Sequence, residues 1–401
     1  MPELTTLFVL AGLFLSAIVG EAVLYRDTLR VQINVPPALQ EKGFNEPIAE
    51  EVFSSEAARI IHGQSVIAAP AIRIHSEPNL LSAIVQPLGL DTAVAALQAQ
   101  FGVDRLAVVA AIMPGAAKTG EGWTGEGRPD SDEATTPRPA GSNAPPLQMV
   151  LVVSQPGSEA AQARLTQADG DPVKLVQRAA QWSMERVVPY RVALAHFLSG
   201  TEGDAEGFGL ARQTVARALI RPWQPGQAAE HAMLYNVLGL VDTADNDLTG
   251  AVAAYRSIDA IPGVPAEVRA QVALNHAIVA LALRRPAHAA DLLVQATEPA
   301  SRIDLPGFTS NRRLIEGLVA WGNGDLATAE TIFRSVAAEA PLSEAGHHYL
   351  GEVLAARGDR DGAATALATA RAVHSADPPR QALAVALFWV DPVAGGLTRR
   401  F

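Results

Sequence analysis

The chain has 401 residues, 49% of them hydrophobic, which is enough for two or three domains and a sizeable core. Its formal net charge is −11 and it carries no Lys/Arg cluster, which argues against nucleic acid or an anionic lipid surface as the main partner. It contains no cysteine, so disulfides, thiol nucleophiles and cysteine-ligated metals are excluded, while a reducing cytoplasm and a cysteine-poor periplasm fit equally well.

The N-terminus is apolar. Leu4 to Gly20 is an uncharged run, Glu21 interrupts it, and Ala22 to Tyr25 extend it to about the length that spans a bilayer. Residues 1–26 are therefore expected to be a single-pass transmembrane anchor. No Lys or Arg precedes the run, so the positive n-region of a secretory signal is missing. Small residues at Gly20 and Ala22 still offer a cleavage site, and a cleaved signal with an exported soluble product is the alternative. Arg26 and Arg30 follow the run but Glu21 and Asp27 sit alongside, so the side of the membrane that holds the soluble part stays open.

Residues 27–188 have the texture of a small α/β domain. Val31 to Val35, Leu106 to Met113 and Met149 to Val153 read as strands, with another possible near Val66 to Ile74. Asn45 before Pro47 caps a helix carrying Ile48, Val52 and Ile60, Asp91 caps Thr92 to Gln100, and Asp171 before Pro172 opens a third through Val173, Val176, Ala180 and Met184. A three- or four-stranded sheet covered by helices is expected. Residues 114–146 interrupt the domain with glycine, proline and acidic residues and read as a disordered loop joining two paired strands. Lys118-Thr119 does not make a phosphate loop, because Ala117 and Ile112 stand where that motif needs glycine. Trp123 in this loop is a candidate docking residue against the plainer reading of a solvated tether.

No serine elbow, zinc motif or dinucleotide fingerprint is present, so the chain is expected to be no enzyme and to need no cofactor or metal. Adjacent His347 and His348 diverge by about 100 degrees on a helix and cannot share one metal. His348 with Glu344 or Glu352 is at most a two-ligand site or a weak ion pair. An enzyme hidden in the α/β domain would have to gather His62, His75 and Glu50 or Glu51 in one pocket.

Residues 189–390 repeat themselves, ahead of a short tail at 391–401. Gly317, Ala329, Phe333 and Val336 return 34 residues later as Gly351, Ala363, Leu367 and Ala370. Ala277, Ala289, Leu293 and Ala296 share the spacing, as do Gly239, Ala251, Tyr255 and Ile258, and more loosely Ser199, Ala211, Val215 and Ala218. Small residues let two helices approach, the large residue closes the seam, and Pro222, Pro262 or Pro341 stops the pair. This spacing resembles the tetratricopeptide (TPR) family, and the order of anchor, α/β domain and solenoid resembles bacterial membrane-anchored TPR proteins.

The resemblance implies a mainly α chain with a C-terminal solenoid of helix hairpins, tethered at the inner (cytoplasmic) membrane, that binds protein or peptide partners. It places the partner groove on the first helix of each pair, at Asn236, Leu240, Leu274, Ile278, Leu314, Leu318, Trp321, His348 and Glu352. Those positions are mostly apolar and largely lack the lysines and asparagines of TPR modules that clamp an acidic peptide terminus. They would suit an amphipathic helix or an extended apolar peptide.

Overall fold

The computed structural model describes residues 28–62, 73–75, 106–115, 134–135, 145–155, 160–201, 203–223, 225–300 and 308–376. The expected anchor at 1–26, the Asp91 helix, Lys118-Thr119, Trp123 and the tail at 391–401 lie outside these residues. Among the described residues no helix is long and apolar enough to cross a membrane. The chain forms two compact units whose main boundary falls between Val187 and Val188.

The described residues of the first unit form a sheet with helices packed on one face. Its strands are β1 (Thr28–Asn34), β2 (Arg73–His75), β3 (Ala107–Pro114), β4 (Ala134–Thr135), β5 (Leu147–Ser154) and β6 (Ala161–Gln167), in spatial order β2-β1-β3-β5-β6-β4. β1 runs parallel to β2 and β3, β5 is antiparallel to β3 and β6, and β4 is parallel to β6. Alternation decides which face is inside: Leu29, Val31 and Ile33 are buried, whereas Arg30, Gln32 and Asn34 between them are exposed. Val108, Ala110 and Ile112 of β3 and Met149, Leu151 and Val153 of β5 join that inner face.

Two helices cover it. α1 (Glu46–His62) begins one residue after Asn45, whose Oδ1 accepts from the Ile48 N–H at 3.1 Å, and it buries Ala49, Phe53, Ala57 and Ile60. α2 (Pro172–Val187) begins after Asp171, whose Oδ1 accepts from the Val173 N–H at 2.9 Å, and it buries Leu175, Val176, Ala179 and Ala180. The helices pack on each other and are tied by Gln181 Nε2 donating to Glu56 Oε1 at 2.9 Å. Among the described residues the sheet has four long strands, β1, β3, β5 and β6, in keeping with the expected three or four, and two short ones, β2 and β4, at its edges. β6 carried no clear signal in the sequence, because it offers only Leu165 as a large inward residue. One expectation is corrected. Ala134–Thr135 lie in the segment read as a disordered loop, yet they pair with Leu165 and Thr166.

The described elements of the second unit are all helices. Its described residues form five antiparallel pairs: α3 (Pro189–Thr201) with α4 (Gly207–Leu219), α5 (Ala228–Ala244) with α6 (Leu248–Ser257), α7 (Ala266–Ala282) with α8 (Pro286–Ala300), α9 (Phe308–Gly322) with α10 (Leu326–Glu339), and α11 (Glu344–Ala356) with α12 (Arg360–Ala376). Each pair packs internally and its second helix packs on the first helix of the next pair, while α5, α7, α9 and α11 also touch in succession. Stacking in this manner gives one continuous core from Tyr190 to Ala366.

Candidate interaction surface of the helical unit

The last four hairpins share one local construction. In each, the residue seven after the seam residue has positive φ: Asn246 at 62°, Arg284 at 58°, Gly324 at 82° and Gly358 at 89°. The next N–H then reaches back to a carbonyl five residues earlier, from Asp247 to Asp242, Arg285 to Ala280, Asp325 to Ala320 and Asp359 to Leu354, at 2.7–2.9 Å. This satisfies the carbonyls that the first helix leaves unpaired at its end. In three hairpins the same residue also caps the second helix: Oδ1 of Asp247, Asp325 and Asp359 accepts from the N–H of Gly250, Thr328 and Gly362 at 2.8–3.0 Å.

The seam itself is a close approach. A Cβ on Gly239 would lie 2.4 Å from Tyr255 Cε1, one on Gly317 would lie 2.4 Å from Phe333 Cε1, and one on Gly351 would lie 2.7 Å from Leu367 Cγ. Glycine is required there because the ring or branch of the facing helix occupies the space of a side chain. Ala251, Ala277, Ala289 and Ala329 are fully buried, with Ala363 and Leu293 nearly so. In the first pair the close approach falls at Gly200 against Phe208 and Gly207, one residue beyond the expected Ser199.

The expected groove residues divide. Leu240, Leu274, Ile278, Leu314 and Leu318 are each 2% exposed or less, and they belong to the core rather than to a groove. The reason is visible in α7: every residue from Ala270 to Leu281 is buried, so this helix has no free side on which a ligand could lie. Asn236 is buried too, and its Oδ1 accepts from Asn275 Nδ2 at 2.8 Å, fastening α5 to α7. Trp321, His348 and Glu352 remain half-buried at the surface of α9 and α11, where His348 Nε2 and Glu352 Oε1 are 3.8 Å apart. Glu344 is buried and His347 Nε2 lies 3.0 Å from the Pro341 carbonyl, so the two histidines point to different surroundings.

Several polar groups had no forecast in the sequence reading. Asn275, Gln271 and His276 of α7 are buried among apolar residues, at 0%, 1% and 8% exposure. Trp223, His231 and Tyr235 form an aromatic stack at the start of α5, with Trp223 and His231 parallel at 4.7 Å. Arg212 of α4 pairs with Asp242 and Asp245 at the end of α5. The signal for the α7 group was present, since a polar residue inside a helix that is apolar all round must be buried with it.

The residues of the enzyme alternative lie on α1 and β2. His62 ends α1 and His75 ends β2, while Glu51 is exposed and Glu50 is half-buried, with its carboxyl raised by burial and partly relieved by a backbone bond from Ile33. Among the described residues no group of three or more His, Asp or Glu is placed to hold a metal ion.

No family model and no curated protein matches the chain. Among solved structures it is similar to one titled "MamA MSR-1 C2", at 14% sequence identity and a TM-score of 0.32, over 48% of this chain and 99% of that one.

Proposed function

We propose that the chain is a membrane-tethered scaffold that binds protein or peptide partners through its helical unit and carries out no catalysis. The observation that carries this reading is the seam and turn repeated through four hairpins, which builds a long stacked surface. Stacks of this kind extend by adding equivalent units and serve as platforms for other chains. The apolar run from Leu4 to Tyr25 supports tethering. Confinement to a bilayer raises the effective concentration near other membrane components, so a modest affinity suffices. The partner surface is assigned to the last two hairpins, around Trp321, His348 and Glu352, because these are the expected groove residues that stay half-buried at the surface.

Two experiments on the full-length protein test this. Carbonate washing of native membranes should leave the chain in the pellet, and its release would remove the tether. Crosslinking in those membranes with photoreactive residues at 321, 348 and 352 should capture a protein that a probe at the exposed Val294 does not. Capture of the same set from both places would remove the assigned surface.

A further inference from the structure

We infer that the junction between the second and third hairpins is an acid-responsive joint, in which protonation of His276 loosens α7 from α6 and α8. His276 is 8% exposed, and its Nε2 is buried with no hydrogen-bond partner among the described residues. Its ring lies 5.5 Å from Tyr255 of α6, tilted by 34°, and 5.4 Å from His288 of α8, edge to face at 86°. The imidazole is therefore a wedge between three helices that belong to two hairpins. Tyr255 is also the residue that fills the space beside Gly239, so a shift of this ring disturbs the seam of the second hairpin as well as the junction.

The surroundings suit a neutral ring and oppose a charged one. The titratable groups acting on it are His288, Arg256 and Asp259. Arg256 and His288 both disfavour a charge on the ring, and of the three only the anion Asp259 favours one. A proton on Nε2 would add a charge and an N–H that finds no acceptor among the described residues, and burying such a donor is costly. Burial is the largest influence and pushes His276 down to about 4 from an ordinary 6.5, with His288 and Arg256 adding to it.

A base whose folded pKa is depressed binds fewer protons folded than unfolded, so the local structure is fully stable above about pH 6.5 and weakens as pH falls toward 4. Glu230 acts in the opposite sense. Burial raises it to about 7, which favours the folded state on acidification, so a melting temperature would mix the two. Local hydrogen exchange separates them, since Glu230 lies at the start of α5 and accepts from the Tyr190 N–H.

The test is hydrogen exchange of the full-length protein at pH 7 and pH 5, corrected for intrinsic rates. Protection of amides in α6 to α8 should fall on the order of 20-fold, and amides in α10 and α11 should change far less. In His276→Gln, which keeps a polar side chain but does not titrate, the extra loss in α6 to α8 should disappear. An equal change across all hairpins, or the same local loss in His276→Gln, would overturn the proposal. If that variant does not fold, NMR titration of the nine imidazoles of the unaltered chain decides. One should titrate far below the rest, and nine ordinary midpoints would overturn it.

Discussion

In the fourth hairpin Gly317 faces the fully buried ring of Phe333 and Gly324 makes the turn, while in the third Ala277 and Leu293 hold the same places and Arg284 makes the turn. The second hairpin uses Gly239 with Tyr255, and the fifth Gly351 with Leu367. Bulk is set by the pair rather than by either position. In the third hairpin a methyl on the first helix goes with Leu293 opposite, whereas the rings of Tyr255 and Phe333, and the branch of Leu367 in the fifth, leave no room for one. The turn obeys a similar rule, because its left-handed backbone is fixed by the helix end and the residue there only decides how much strain accompanies it.

The largest loss is expected at the ring. Phe333→Ala removes a fully buried side chain and should cost about 3–5 kcal/mol in urea unfolding, more than Leu293→Ala at the matching site. Equal losses would mean that the aromatic seam adds nothing over the aliphatic one. Next comes overpacking: Gly317→Leu should cost about 1–3 kcal/mol, and an unchanged transition would show that the two helices are not held at this distance. Asn275→Leu leaves Asn236 Oδ1 without its donor and should cost about 1–2 kcal/mol, much of which Asn236→Leu in the same chain should restore. The smallest effect sharpens the contrast between turns. Arg284→Gly relieves a positive φ and should raise stability by about 0.5–1 kcal/mol, whereas Gly324→Ala should lower it by a similar amount. A loss on Arg284→Gly would mean that its side chain stabilises more than its backbone strain costs.

The seam was legible in the sequence because it rests on residue size at fixed spacing, and size is printed in the residue name. The helix starts at Asn45 and Asp171 were legible for the same kind of reason, a capping side chain before proline. The groove was not. Leu274 and Ile278 occupy positions that would face outward on an isolated hairpin, and only the packing of α5, α6, α8 and α9 around α7 shows that they are enclosed. The apolar composition of α7 carried that information, but reading position by position within the repeat hid it. Strand β6 escaped because Ala163, Leu165 and Gln167 make a weak inward row, held in register by β5 rather than by their own hydrophobicity.

The last four hairpins of the helical unit are each locked by one facing pair. A double-mutant cycle at Gly317→Ala and Phe333→Leu tests this most directly, with unfolding free energies measured for the starting chain, both single variants and the double. The added methyl should be costly opposite phenylalanine and much cheaper opposite leucine, giving a coupling of about 1 kcal/mol or more. Additive losses, within about 0.5 kcal/mol, would contradict the account, because they would mean that the two side chains do not share the space on which the repeat is built.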